Sequence, residues 1–207
     1  MSSLSSSLAG QPEPAWDIAK LFPLQGHWSE GSYLSFTESM NQFVELVDGR
    51  VEVLQMPTKS HQKIVQYLLR ILLDCLTPDQ LGDAICAPYR VRLRGQTYRE
   101  PDLVAYLAEH LNQFGERYGD GADLVIEVVS GEGADRIRDY EDKRRDYAEA
   151  QIPEYWIVDP TEQRIVVLYL EGNIYQQSGE FAIGDEAVSR VLPGFRANFA
   201  NVLHAGR

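Results

Sequence analysis

The sequence predicts an α/β protein with α+β character, in which a mixed central β-sheet is flanked by helices. One long segment repeats apolar residues at helical spacing, and several shorter segments alternate or run as β-type residues. Helices and strands follow one another without the regular alternation of a doubly wound fold. The 207 residues suffice for one domain with a sizeable core, expected over residues 17–207 after a flexible Ser- and Pro-rich leader at 1–16.

The first predicted elements are a β-hairpin and a long helix. Residues 43–47 and 50–54 flank Asp48-Gly49, a pair that tolerates the positive φ of a two-residue turn. Residues 60–76 then repeat apolar side chains every three or four positions, which predicts an amphipathic helix. Pro78 is expected to end it.

Extended segments dominate the rest of the chain. Alternation or apolar runs predict five strands, at residues 87–94, 102–107, 124–129, 155–159 and 164–170. A Gly-containing loop at 130–133 leads into a charged helix over residues 135–150. Weaker patterns predict short strands around Tyr175 and Val188 and a last helical turn near 197–203.

Composition and charge limit the functional classes. Nineteen Lys and Arg against thirty-one Asp and Glu give a net charge of −12, which disfavours non-specific binding to nucleic acid or anionic membranes. A local basic patch is compatible with this charge. Cys75 and Cys86 are too few for a zinc cluster and are interpreted as reduced packing residues. With no signal-peptide pattern near the start, we expect a cytoplasmic protein.

Two acids lie where the sequence predicts buried strands. Glu127 lies within the apolar run 124–129, and Asp102 follows Pro101 at the start of another apolar run. An ionised carboxylate in such a place is costly unless it is paired or binds a cation. Two acids entering neighbouring strands are typical of a Mg²⁺ site. The alternative is a structural ion pair or an acid at a strand end.

Lys143 is the candidate cation for these acids. It lies between Tyr140 and Tyr147 on the predicted packing face of the charged helix, which also includes Ile137 and Ala148. We take it as the only cation on that face, able to project its ammonium towards the carboxylates. The alternative is a lysine whose stem covers the aromatic rings.

Glu45 and His61 are further candidates. Glu45 has apolar neighbours in the first hairpin, and its alternative is a solvent-facing strand residue. His61 follows Ser60, an expected N-cap, so it could contact a phosphate at the helix N-terminus. A surface or capping histidine is the alternative for His61.

Ten of the nineteen basic residues lie between Arg90 and Arg145. In the predicted strand 87–94, Arg90, Arg92 and Arg94 share one face that leads towards Asp102, a candidate substrate-binding edge for phosphates. They could instead form a solvated face neutralised by acids. We therefore predict DNA binding that is weak and salt-dependent, or that requires dimerisation.

Six segments occur in an order that resembles a known family. They are residues 45–49, 57–61, 101–104, 125–130, 143–148 and 154–159. This ordered set resembles the Uma2 family of bacterial restriction-endonuclease-like proteins, within the PD-(D/E)xK nuclease superfamily. The resemblance covers roughly residues 28–205.

The resemblance implies a restriction-endonuclease-like fold and a metal-dependent DNA endonuclease. It implies that Asp102 and Glu127 bind Mg²⁺ or Mn²⁺, that Glu45 either completes a second metal site or holds Lys143 in place, and that Lys143 completes the catalytic set. The superfamily's lysine two positions after the second acid is replaced here by Val129, and Lys143 on the following helix is expected to substitute for it. Because related nucleases that cut both strands often act as dimers, we expect a homodimer.

The competing hypothesis is a non-catalytic dimerising or nucleic-acid-binding module that keeps the nuclease fold. Other chemistries have less support. The sequence contains neither the Gly-x-Ser-x-Gly elbow of serine hydrolases nor the Gly-x-x-x-x-Gly-Lys loop of P-loop nucleotide-binding proteins.

Overall fold

The computed structural model describes residues 23–38, 43–130 and 134–207. The predicted leader at 1–16 and most of the predicted loop at 130–133 lie outside these residues. The strands are β1 (Val44–Val47), β2 (Arg50–Val53), β3 (Gly82–Cys86), β4 (Arg90–Arg92), β5 (Tyr98–Arg99), β6 (Leu103–Leu107), β7 (Tyr118–Asp120), β8 (Leu124–Val128), β9 (Glu154–Asp159), β10 (Arg164–Glu171), β11 (Ile174–Phe181), β12 (Glu186–Val188) and β13 (Arg196–Asn198). The helices are α1 (Glu30–Glu38), α2 (Lys59–Leu76), α3 (Ala134–Ile137), α4 (Lys143–Glu149) and α5 (Phe199–Ala205), with a 3₁₀ helix at Ala108–Gln113 and a π-helical turn at Arg138–Asp142.

The larger sheet has six strands in the order β11-β10-β9-β8-β6-β3. Its neighbours are antiparallel except β8 and β9, which are parallel, so the sheet is mixed as predicted. Parallel neighbours need a crossover, and α3, the π-helical turn and α4 supply it. Every residue of β8 and β9 is buried, because both faces of the sheet are covered at this point.

A second sheet carries the predicted hairpin. Its order is β2-β1-β5-β4-β7, with only β4 and β7 parallel. The turn between β1 and β2 has positive φ at Asp48 (47°) and Gly49 (72°), as the sequence predicts. Strands β12 and β13 form a separate antiparallel ribbon.

Helices cover the large sheet on both faces. The apolar side of α2, including Leu68 and Leu72, packs against one face together with α5. On the other face, Tyr147 of α4 packs against Tyr155 of β9, with ring centroids 5.0 Å apart. The predicted helix at 60–76 is thus confirmed within one residue. Among the described residues, no helix is long and apolar enough to cross a membrane.

Several parts of the chain differ from the sequence prediction. The strand expected at 87–94 is reduced to β4, because Pro88 cannot donate to a strand ladder and Gly95 adopts a positive φ. Strand β3 and helix α1 were not predicted. Gly82 and Asp83 are poor strand formers, and the polar residues of α1 lack an apolar stripe.

Candidate active site

A buried cleft lies where β6, β8, the start of α2 and the π-helical turn meet. Its polar lining includes Asp102, Glu127 and Lys143, together with His61 and Glu100. Its volume of about 60 Å³ gives room for a few water-sized groups. Three of the residues predicted from the sequence, Asp102, Glu127 and Lys143, therefore line one cleft.

Asp102 immediately precedes β6, and two hydrogen bonds orient its carboxylate. The backbone N–H of Val128 donates to Oδ2 at 2.7 Å, and Nε2 of His61 lies 3.1 Å from the same oxygen. The first contact joins the start of β6 to the end of β8, which is antiparallel to it. His61 is thus a buried partner of Asp102. Neither of the roles that the sequence suggested for His61 includes this contact.

Glu127 lies on β8 with only 2% of its surface exposed. Its Oε1 accepts a hydrogen bond from the Tyr147 hydroxyl at 2.7 Å and lies 2.8 Å from Nζ of Lys143. Burial raises the pKa of Glu127 above its usual value, and the negative charge of Asp102 raises it further. The Lys143 ammonium opposes this shift without cancelling it.

Lys143 is the first residue of α4 and is also buried. Its Nζ lies 2.8 Å from Glu127 and 3.2 Å from Oδ1 of Asp139. Burial alone would lower the pKa of Lys143, but these two carboxylates raise it above its usual value. The amine is therefore a fixed positive charge in the wall of the cleft.

The π-helical turn sets the direction of Lys143. The backbone N–H of Lys143 donates to the carbonyl of Arg138, five residues earlier. This wider turn rotates the preceding residues relative to a regular α-helix. As a result Ile137 is 53% exposed, so its predicted place on the packing face was wrong. Arg138 and Asp139 line the cleft instead.

The prediction that Lys143 is the only inward cation was also wrong, because Arg138 lines the same cleft. Periodicity could not reveal this, since residues five apart lie on different faces of a regular α-helix. On a π-helical turn they lie close to each other. Asp139 lies four residues before Lys143, a spacing that already makes the two neighbours on a regular α-helix, and they form a buried ion pair.

Glu45 is fully buried in β1, beneath the cleft, and does not line it. Its Oε2 lies 2.7 Å from Arg99, and its Oε1 accepts the backbone N–H of Glu100 at 2.9 Å. Burial would raise the pKa of Glu45, but the positive charges of Lys143 and Arg99 hold it below its usual value. Since both oxygens are engaged, the geometry favours a positioning role for Glu45 over a metal ligand.

Glu100 is a cleft residue that sequence reasoning missed. Its Oε1 accepts a hydrogen bond from Arg90 at 3.2 Å, whereas Oε2 is buried with no hydrogen-bond partner among the described residues. Burial raises the pKa of Glu100 to about 7. The only sequence signal is its position directly before Pro101-Asp102.

The three arginines of the predicted basic face are paired with acids. Arg90 contacts Glu100, Arg92 lies 2.5 Å from Asp120, and Arg94 lies 2.5 Å from Glu149. This arrangement matches the alternative interpretation, a face neutralised by carboxylates. It leaves these guanidinium groups little free charge for phosphates.

A family model matches residues 31–200 of this chain. The model is Uma2, described as "Putative restriction endonuclease". The chain belongs to the Uma2 family. The match spans most of the chain and includes the cleft, from His61 to Lys143. None of the curated proteins matches the chain.

A solved structure shares the fold of this Uma2 protein. It is described as a "putative nuclease belonging to DUF820" from Anabaena variabilis ATCC 29413. The two chains are 15% identical and superpose with a TM-score of 0.70, covering 89% of this chain and 100% of the other. This likeness shows the restriction-endonuclease-like fold predicted from the sequence.

The restriction-endonuclease-like fold implies a divalent metal, and the donor groups of this Uma2 cleft fit one. Asp102 and Glu127 supply the oxygen ligands that Mg²⁺ and Mn²⁺ prefer, and the unpartnered Oε2 of Glu100 adds negative charge beside them. Within the described residues, no three His, Cys, Asp or Glu side chains form a ready-made metal centre. Mg²⁺ keeps several waters and needs only one or two carboxylates.

Proposed function

We propose that this Uma2 protein is a nuclease that hydrolyses DNA phosphodiester bonds with a divalent metal ion, Mg²⁺ or Mn²⁺. The observation that carries the proposal is the set of two acids and one amine that line a single cleft. Lys143 lies 2.8 Å from Glu127, and the backbone of the next residue, Val128, holds Asp102. Family membership supports the same activity.

Asp102 and Glu127 are the residues that would hold the ion. A bound divalent ion polarises phosphoryl oxygens and lowers the pKa of the attacking water. The carboxylates are pre-oriented for this task, because each has one oxygen fixed by the contacts described above. Fixed ligands reduce the reorganisation that the reaction requires.

Lys143 would stabilise negative charge that develops on the phosphoryl group. An ammonium has three N–H donors, and two can be used by Glu127 and Asp139. The third is available to a water or a phosphoryl oxygen in the cleft. Because the amine is buried and paired, it remains charged during the reaction.

His61 would contribute to substrate binding. Burial alone would lower its pKa, but the hydrogen bond to Asp102 raises the pKa of His61 above its usual value. A protonated ring donates through both nitrogens, and Nδ1 has no hydrogen-bond partner among the described residues. His61 can therefore orient Asp102 through Nε2 and offer Nδ1–H to a phosphate.

The proposal is tested by incubating a supercoiled plasmid with Mg²⁺, Mn²⁺ or a chelator. The wild-type protein is expected to cut only with metal, and Asp102→Asn, Glu127→Gln and Lys143→Met are expected to lower the rate by at least about 100-fold. Glu149→Gln serves as a matched control, because this acid is exposed and distant from the cleft lining. Circular dichroism checks that each variant folds.

Two results would contradict the nuclease proposal. One is a wild-type protein that binds DNA without cutting it under any metal condition, which would indicate the non-catalytic module. The other is cleavage that persists in Asp102→Asn and Glu127→Gln. A homodimer, which would present two clefts to the two strands, is part of the proposal, and sedimentation with and without DNA tests it.

A further inference from the structure

The exposed face of α2 carries positive charges that no acid neutralises. Lys59, Lys63 and Arg70 are exposed and lie four and seven residues apart, so they share one side of the helix. Within the described residues, none of the three forms an ion pair with a carboxylate. In contrast, Arg92 and Arg94 are paired with acids. In a protein of net charge −12, this stripe is a local exception.

These cations border a groove between α2 and α5, called here the α2 groove. Its volume is about 380 Å³, and its lining includes Lys63, Tyr67, Arg70, Asn201 and His204. Cζ of Arg70 lies 5.3 Å from the centroid of the Tyr67 ring, a cation–π contact that holds the guanidinium at the groove. Amide and imidazole groups on the α5 side add further hydrogen-bond donors.

The α2 groove and the cleft both adjoin the first turns of α2. His61 and Gln62 line the cleft, and Lys63 lines the groove. The end of α5 packs against the same turn of α2, since a Cβ on Gly206 would lie 3.0 Å from Ile64. Lys63 therefore lies within one helical turn of the residues of α2 that line the cleft.

We propose that the α2 groove binds the phosphate backbone of duplex DNA on one side of the bond to be cut. The inference rests on the proposed nuclease function for the identity of this polyanion. Lys59 and Arg70 are eleven residues apart, about 16 Å along the helix axis. A DNA strand rises about 3.4 Å per phosphate, so the stripe spans about five phosphates. The contact is to the backbone and is independent of base sequence.

The test measures binding of a fluorescent DNA duplex by anisotropy at several salt concentrations, with a chelator present so that no cleavage occurs. Lys63→Ala combined with Arg70→Ala is compared with a control that removes the same charge, Arg50→Ala combined with Arg190→Ala. The control arginines are exposed and lie outside the α2 groove.

If both groove cations contact phosphates, the groove variant loses about tenfold or more in affinity at low salt. Its slope of log K against log salt also falls by about 1.8, because each lost contact removes about 0.9. The control pair is expected to bind like the wild type. Equal affinities and slopes for the groove variant and the wild type would overturn the proposal, as would a wild type that binds no duplex at low salt.

The outcome separates this inference from the nuclease proposal. Asp102→Asn is expected to bind the duplex normally in the chelator, whatever its effect on cleavage. If the wild type never cuts DNA but the groove variant loses binding, the α2 groove stands and the nuclease proposal fails. If the wild type cuts DNA and the groove variant binds and cuts equally well, the nuclease proposal stands and the proposal for the α2 groove fails.

Discussion

Replacing Lys143 with Met removes the amine that contacts both Glu127 and Asp139, at 2.8 and 3.2 Å. The methionine fills a similar volume, so the loss is mainly electrostatic. Breaking a buried ion pair by removing one partner costs about 3–5 kcal/mol. We therefore predict a loss of about 3–5 kcal/mol at pH 7.

The sign of the pH dependence distinguishes this explanation from a packing defect. Without the ammonium, the pKa values of Glu127 and Asp139 rise further, so the folded variant holds more protons than its unfolded chain. Its stability then falls as pH increases. Because the pKa of Glu127 is already raised to about 8 in the wild type, the defect relative to the wild type is expected to grow above pH 8, by up to about 1.4 kcal/mol per unit for one extra proton.

Urea denaturation at pH 7 and pH 9.5, with a chelator present, measures this difference. Arg145→Met is the control, because Arg145 forms exposed ion pairs two residues along the same helix and is expected to cost less than about 1 kcal/mol at either pH. A Lys143→Met defect that is equal at both pH values would refute the electrostatic reasoning. A defect no larger than that of Arg145→Met would do the same.

Three further predictions follow from neighbouring contacts. Glu45→Gln is expected to lower the free energy of unfolding by about 3 kcal/mol at pH 7, because Arg99 loses a buried partner. Since the pKa of Glu45 is lowered in the folded protein, this loss should shrink below pH 4.5. Urea denaturation at pH 7 and pH 3.5 measures the difference. Tyr147→Phe removes the hydroxyl that donates to Glu127 and should lower the free energy of unfolding by about 1–3 kcal/mol in the same assay. The circular dichroism spectrum is expected to match that of the wild type. Mn²⁺ at 100 times its dissociation constant should stabilise the wild type by about 2.7 kcal/mol and leave Asp102→Asn unaffected, and an equal thermal shift in both would argue against this metal site.

Much of the fold could be predicted because local patterns and tertiary structure agree. Asp48-Gly49 suits only a tight turn, so the hairpin follows directly. The unbroken apolar run of β8 is explained by its position in the middle of the sheet. Strands β3, β5 and β7 could not be predicted, because they are short and are stabilised by pairing with distant parts of the chain.

The candidate site was predictable where a charged residue interrupts an apolar pattern. Glu127 and Asp102 both met that condition. Glu100 did not, because its burial comes from the cleft that surrounds it and its neighbour Arg99 is also charged. Arg138 was missed for a different reason: a shift from i→i+4 to i→i+5 hydrogen bonding leaves no trace in residue periodicity. Asp139 was overlooked although its i,i+4 spacing to Lys143 already predicts the contact.

The π-helical turn accommodates one extra residue in the crossover. If an exposed residue of the turn such as Glu141 were deleted, the bond from the Lys143 N–H to the Arg138 carbonyl would become an i→i+4 bond, so a continuous α-helix could form and α4 would keep its place. The side chains inside the turn would shift instead, because the remaining residues would follow the 100° step of an α-helix. A length change of one residue at this point would therefore alter the wall of the cleft while the helices on either side stay in register.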